Sequence, residues 1–252
     1  MHSDRATPLV LSKRAAADRR NMAWTAVWLG AAGVPLGLWV APRDAVQGDA
    51  QRLMYVHVPA AWTAYLAFVA VLLASVAYLI WADPRWDRAA RAAGEIGVAA
   101  TIVTLISGSV WGRLVWGVWW AWDPRLVATA AMLLIYLGQL TVRWTGTTTA
   151  RGQRRAAVVG VAGFVIVPTV HFSVIWWRSL HQQATVLAPD PTPPINGVML
   201  TALLLCAGAV SVTAAWLFLC RLAALESRVG PPSDDHPEAA PVATGLVSSG
   251  RA

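Results

Sequence analysis

The chain has 252 residues, of which 57% are hydrophobic and 13% charged, with a net charge of +7 and a mean hydropathy of +0.52. Ordinary soluble domains carry about 25% charged and about 45–50% apolar residues, so this composition excludes a soluble fold and requires a membrane protein. Lys13 is the only lysine, which excludes a G-x-x-x-x-G-K-[ST] phosphate loop and ATP hydrolysis through one. The arginines are scattered between apolar runs rather than gathered on one face, which argues for membrane topology and against a nucleic-acid partner.

Crossing a bilayer takes about 20 mostly apolar residues, and six stretches free of Asp, Glu, Lys and Arg meet that length. In chain order they are residues 21–42, 53–82, 96–112, 126–142, 156–177 and 191–220. The second is expected to begin near Val58 and Pro59 and the sixth near Ile195, after Pro193 and Pro194, because proline suits the start of a helix. The expected fold is therefore all-α: a polytopic membrane protein with six transmembrane helices. Short cytoplasmic loops carry an excess of Lys and Arg. Fifteen of the 20 such residues fall in the N-terminal segment, the second and fourth loops and the tail, which predicts that both termini are cytoplasmic. The domain map reads 1–21 as a cytoplasmic N-terminal segment, 22–221 as the membrane domain with an external tryptophan-rich loop at 111–125, and 222–252 as a flexible cytoplasmic tail. The first twenty residues are too polar for a secretory signal's apolar core, so the first span is expected to be retained. From about Arg228 the chain turns to Gly, Pro, Ser and acidic residues, too polar to bury a core.

Cys206 and Cys220 fall on one predicted helix about 21 Å apart, too far to bond, and neither has a C-x-x-C partner. The tryptophans are more telling. Many of the 15 lie where a two-sided interfacial belt places them, but Trp111, Trp116, Trp119, Trp120 and Trp122 crowd into one external segment. Rigid π surfaces separated by glycines, with Asp123 and Arg125 alongside, suit a flat, amphipathic, anionic ligand; the competing reading is a plain interfacial anchor. Base stacking uses the same parts, but outside the cell membrane that partner is implausible.

Histidine adds to the case. His2 and His236 sit in polar tails, whereas His57, His171 and His181 fall at or near the outer boundary. Two imidazoles flanking an aromatic shelf could bind a planar metal complex from above and below; each taken alone also fits a hydrogen-bonded role in a wet cap. His171, about two turns inside the fifth helix, reads as a functional candidate or a packed residue. Structural zinc fails because only three histidines and no cysteine reach this face. An ion pathway fails for want of acidic residues inside the bundle, Glu95 at the inner edge apart.

Three anchors stand in order along the chain: M-Y-x-H-V-P-A-A-W at 54–62, W-G-x-W-W-x-W-D-x-R at 116–125 and S-V-x-W-W-x-x-L-H-Q at 173–182. In these residues the sequence resembles the tryptophan-rich (WWD) haem-handling membrane protein family of cytochrome c maturation, and within it the maturation protein C group, over about residues 22–221. The resemblance implies a binding and transfer protein, not an enzyme, of the bacterial cytoplasmic (inner) membrane. Such a protein presents haem b, iron protoporphyrin IX, at the periplasmic face and loads it onto a periplasmic haem chaperone. It implies His57 and His181 as axial ligands of the iron, with Trp116, Trp119, Trp120, Trp122 and Asp123 as the shelf beneath the macrocycle. Arg125 and Arg178, the nearest outer-face cations, are candidates to pair with the haem propionates. It also implies an ABC ATPase subunit, a second membrane subunit and a small single-span subunit as partners, which agrees with the missing nucleotide loop. Pro124 stiffens the signature and marks a natural start for the fourth helix. Two rivals remain at this point: a cytochrome c synthetase-type haem ligase, for which the chain is short in length and histidines, and a permease subunit, for which its helices carry few polar residues.

Overall fold

The computed structural model describes residues 8–146, 149–181 and 195–227, and side chains from Arg14 onward. His2, His236 and the flexible tail expected from about Arg228 lie outside the described residues. Among those described, every regular element is helical, in the order α1 (Pro8–Pro35), α2 (Met54–Trp81), α3 (Pro84–Trp116), α4 (Pro124–Gly146), α5 (Ala150–Gly163), α6 (Ile166–Trp176) and α7 (Gly197–Glu226). A π-helical turn, Leu36–Val40, extends α1, and a 3-10 turn, Asp49–Leu53, leads into α2. Counting α5 and α6 as one crossing, six helical segments are long and apolar enough to span a membrane.

Four boundaries differ from the sequence expectation, each for a physical reason. α1 begins at least at Pro8 and α3 at Pro84, because charged residues can occupy helical turns at the water and headgroup level. A search for charge-free runs finds only the part of a helix that lies in hydrocarbon. α3 opens on a strong cap: the Asp83 side chain accepts from the Arg85 amide at 2.8 Å and Pro84 takes the first position. α2 starts at Met54, not Val58, because the preceding 3-10 turn already sets the helical direction; Pro59 lies inside it and leaves the Tyr55 carbonyl without its usual donor. The fifth crossing is broken after Gly163, since Pro168 can give no amide to the Phe164 carbonyl. α4 starts at Pro124, as expected.

Without a hydrophobic force between helices in lipid, close packing at small residues holds such a bundle together. α2 pairs most extensively with α3, α4 packs on α5, α6 and α3, and α1 lies mainly against α7. Gly97 shows how closely α2 and α3 meet: a Cβ there would stand 2.4 Å from the Phe68 ring. That ring stacks on Tyr136 of α4, centroids 3.5 Å apart, at the centre of a core that includes Val71, Met132, Leu140 and Val170. A second cluster joins Ala41, Met54 and Tyr55 to Met199, Leu203 and Cys206 of α7, with Gly37 making room for the Tyr55 ring.

Charge is buried at one end of the bundle. Arg143, in the last turns of α4 and 1% exposed, pairs with the Asp87 side chain on α3 and donates to its carbonyl at 2.8 Å. Glu95 receives Arg91 and Arg221, the latter at 2.9 Å across to α7. The sequence reading admitted Glu95 alone, which is half-buried; Asp87 is a more deeply buried acid at the same end, concealed there in what reads as a loop.

Candidate functional site

The opposite end of the bundle carries the histidines. His57 is the fourth residue of α2, one turn inside a helix rather than at its mouth. Its Nδ1 lies 3.1 Å from the Ser107 hydroxyl on α3. Ser107 stands 2.7 Å from the Val103 carbonyl, and its single proton goes to that nearer acceptor. The hydroxyl oxygen is left to accept, so His57 donates from Nδ1–H and keeps the lone pair on Nε2. Gly108 makes the seat possible, since a Cβ there would lie 2.9 Å from the His57 Cε1. The edge of Trp111 closes the side, ring centroids 5.6 Å apart, and the indole N–H of Trp111 donates to Gln47 at 2.8 Å. Trp111 and Trp116 are therefore helical residues of α3, and the irregular loop shrinks to 117–123. Gly117 ends α3 at φ 76°, a left-handed conformation that glycine adopts without strain.

His181 lies beyond α6 and is held by Asp123. The Asp123 carboxylate, 4% exposed, accepts from the Arg125 amide at 2.9 Å, the Ser179 hydroxyl at 2.8 Å and the Leu180 amide at 2.7 Å. Its Oδ1 also faces the His181 Nδ1 at 3.0 Å. A carboxylate only accepts, so His181 donates from Nδ1–H and keeps its lone pair on Nε2. Burial alone would raise the Asp123 pKa, but the Leu180 amide, the Ser179 hydroxyl and the neighbouring His181 hold it below the usual carboxylate range. Burial pushes the His181 imidazole below its ordinary value, more than Asp123 lifts it, which leaves a neutral ring at neutral pH.

One cleft gathers these groups. His57, His181, Trp120 and Arg125 line it together with Tyr65 and Thr104, and its empty space is about 490 Å³ with the open solvent at its mouth included. Trp116 meets the His181 ring edge-on at 5.0 Å. Arg125 donates to the His171 carbonyl at 3.1 Å, while its buried Nε has no partner among the described residues. Asp123 is placed behind His181, as its clamp. Trp119 and Trp122 are 61% and 85% exposed and stand outside the cleft lining, Trp122 edge-on to Trp120 at 6.0 Å. Arg178 is exposed and makes no ion pair among the described residues. His171 is outside the lining as well, its ring edge-on to Tyr65 and Phe172.

Sequence reasoning missed Ser107, Gly108 and Ser179. Ser179 sits inside the third anchor and was within reach as a neighbour of His181. Nothing in a single sequence singles out Ser107 and Gly108, because their importance comes from facing His57 fifty residues away. The residues present suit an anionic metal macrocycle: two imidazoles whose Nδ1 atoms face polar partners, a guanidinium nitrogen with no partner among the described residues, and aromatic edges, all on one cleft.

A family model described as Heme exporter protein C matches residues 1–229 of this chain. The chain is 36% identical over 197 residues to Heme exporter protein C of Haemophilus influenzae, a match covering 78% of this chain and 79% of that protein. It is 32% identical over 180 residues to the protein so named in Escherichia coli K12, covering 69% of this chain and 74% of that one. With the namesake from Bradyrhizobium diazoefficiens it shares 40% identity over 166 residues, 64% of this chain. That last match spans 63% of the Bradyrhizobium protein, just under two thirds of its length.

Proposed function

This chain belongs to the Heme exporter protein C family, part of cytochrome c maturation, and we propose that it presents haem at the periplasmic face and loads it onto a periplasmic haem chaperone. The observation that carries this reading is the pairing of His57 and His181 on one cleft, each with Nδ1 beside a polar partner, an arrangement that would turn Nε2 to the iron. Haem b is the cargo, its propionates drawn to Arg125, whose Nε has no partner among the described residues, and to Arg178. Trp116 and Trp120 offer faces and edges beside the macrocycle. The exposed Trp119 and Trp122 reach the side from which a chaperone or lipid would approach. In this reading the chain binds and hands over haem and is not an enzyme. Energy comes from an ABC ATPase subunit, with a second membrane subunit and a small single-span subunit completing the assembly in the bacterial inner membrane.

The test is the absorption spectrum of purified protein. Wild type is expected to carry low-spin haem with two nitrogen ligands. His57→Ala and His181→Ala are expected to lower haem retention and chaperone loading, and His2→Ala to change neither. Equal haem content in all four proteins would overturn the assignment.

A further inference from the structure

The two imidazoles are gripped by chemically unequal partners. His181 gives its Nδ1 proton to an ionised carboxylate, and that carboxylate is itself pinned by three donors from the start of α4 and the segment after α6. The His181 amide adds a bond to Ser179 at 3.1 Å. His57 has only neutral partners, the Ser107 hydroxyl at 3.1 Å, which itself donates to the Val103 carbonyl, and the Thr104 backbone beside it. Hydrogen bonds to an ionised acceptor are roughly twice as strong as neutral ones, and a carboxylate behind a ligating histidine raises its basicity and fixes its orientation. His181 is therefore the stronger and better-fixed donor.

We propose that His181 is the anchoring ligand and His57 the releasing one, so that haem leaves by opening the bond between iron and His57. This rests on the reading of the cleft as a bis-histidine haem site. The step balances without a redox change. The dative bond from the His57 Nε2 to iron breaks and its electron pair returns to the imidazole, while an incoming nitrogen or oxygen donor supplies the replacing pair. No proton has to move, because Nδ1–H stays on Ser107. Ser107 and Asp123 act as positioning residues that set the order of release.

Carbon monoxide reports which ligand yields. In haem-loaded protein reduced with dithionite, it replaces the weaker axial ligand, and the Fe–CO and C–O frequencies read the hydrogen bond on the imidazole that remains. Asp123→Asn is expected to shift these frequencies. Ser107→Ala is expected to leave them at the wild-type values while CO binds faster, since His57 has lost its hydroxyl partner and is off the iron in the adduct. A shift in Ser107→Ala, alone or equal to that in Asp123→Asn, overturns the assignment. Should Asp123→Asn fail to accumulate, Ser107→Ala decides by itself: unshifted frequencies with faster binding support the proposal, and shifted ones overturn it. A wild-type protein without low-spin haem would instead remove the underlying site, so the two failures are distinguishable.

Discussion

A single hydrogen atom at position 108 decides where His57 can sit. Replacing Gly108 by Ala adds a Cβ 2.9 Å from the His57 ring, closer than van der Waals contact allows. The ring must move off Ser107. Alanine stabilises a helix interior by about 0.5–1 kcal/mol over glycine, so α3 itself gains. The expected result is a protein of unchanged helicity and yield whose haem content falls toward that of His57→Ala; undiminished haem content would count against the seat. His181 sets the response to acid. Its folded pKa lies below its ordinary value because of burial, so the unfolded chain takes up the proton first. The stability contributed by neutral His181 is complete above about pH 6.5 and is lost as pH falls through the lowered folded value. Asp123, also lowered, acts in the same direction further down the scale. Haem retained during equilibration is therefore expected to stay level from about pH 8 to about pH 6.5 and to fall below that. A fall already complete above pH 7 would contradict a lowered His181.

The contact between α3 and α4 rests on a charge pair that neither helix could bury alone. Arg143 is 1% exposed and depends on Asp87. Removing one partner of such a pair costs about 3–5 kcal/mol, because the other is left charged without compensation. Asp87→Asn is expected to lower the thermal midpoint in detergent markedly, whereas Asp83→Asn, at the exposed start of α3, keeps a side-chain oxygen to accept from the Arg85 amide and is expected to leave the midpoint nearly unchanged. Equal midpoints for the two variants would show that the pair carries no such weight. These same helices mark how far sequence reasoning reached. Charge-free runs located all six crossings in order, and Pro124 marked the start of α4, because lipid imposes an apolar composition on any span. They missed the polar turns of α1 and α3, where water or headgroups impose nothing. They also placed Trp111 and Trp116 in a loop that is helix. The Asp87–Arg143 pair, 56 positions apart, and the meeting of His57 with Ser107 depend on how the helices pack, which no local pattern encodes. The histidines and tryptophans themselves were legible because they depart from what an anchor alone requires.

Across the whole molecule the chemistry divides by end: the imidazoles of His57 and His181, the crowded indoles of residues 111–122 and Arg125 at one, the Asp87–Arg143 and Glu95–Arg221 pairs at the other. The positive-inside pattern predicts that the first end is periplasmic. Fusion reporters at Gly152 and Gly117 are expected to report opposite sides, cytoplasmic and external respectively, and the same side for both would refute the six-span topology. The placing of Asp87 and Arg143 then bears on how the chain enters the bilayer. Asp87 lies near the start of α3 and Arg143 near the end of α4, so with the termini inside, neither has to traverse hydrocarbon during biogenesis. A lone charge at the centre of a span costs about 2.5–3.5 kcal/mol on insertion scales, and this hairpin avoids that cost for both. The two charges meet only when α4 has arrived at full depth beside α3. Pair formation thus works as a depth gauge: a hairpin that stops short or slides past leaves an arginine and an aspartate unmatched.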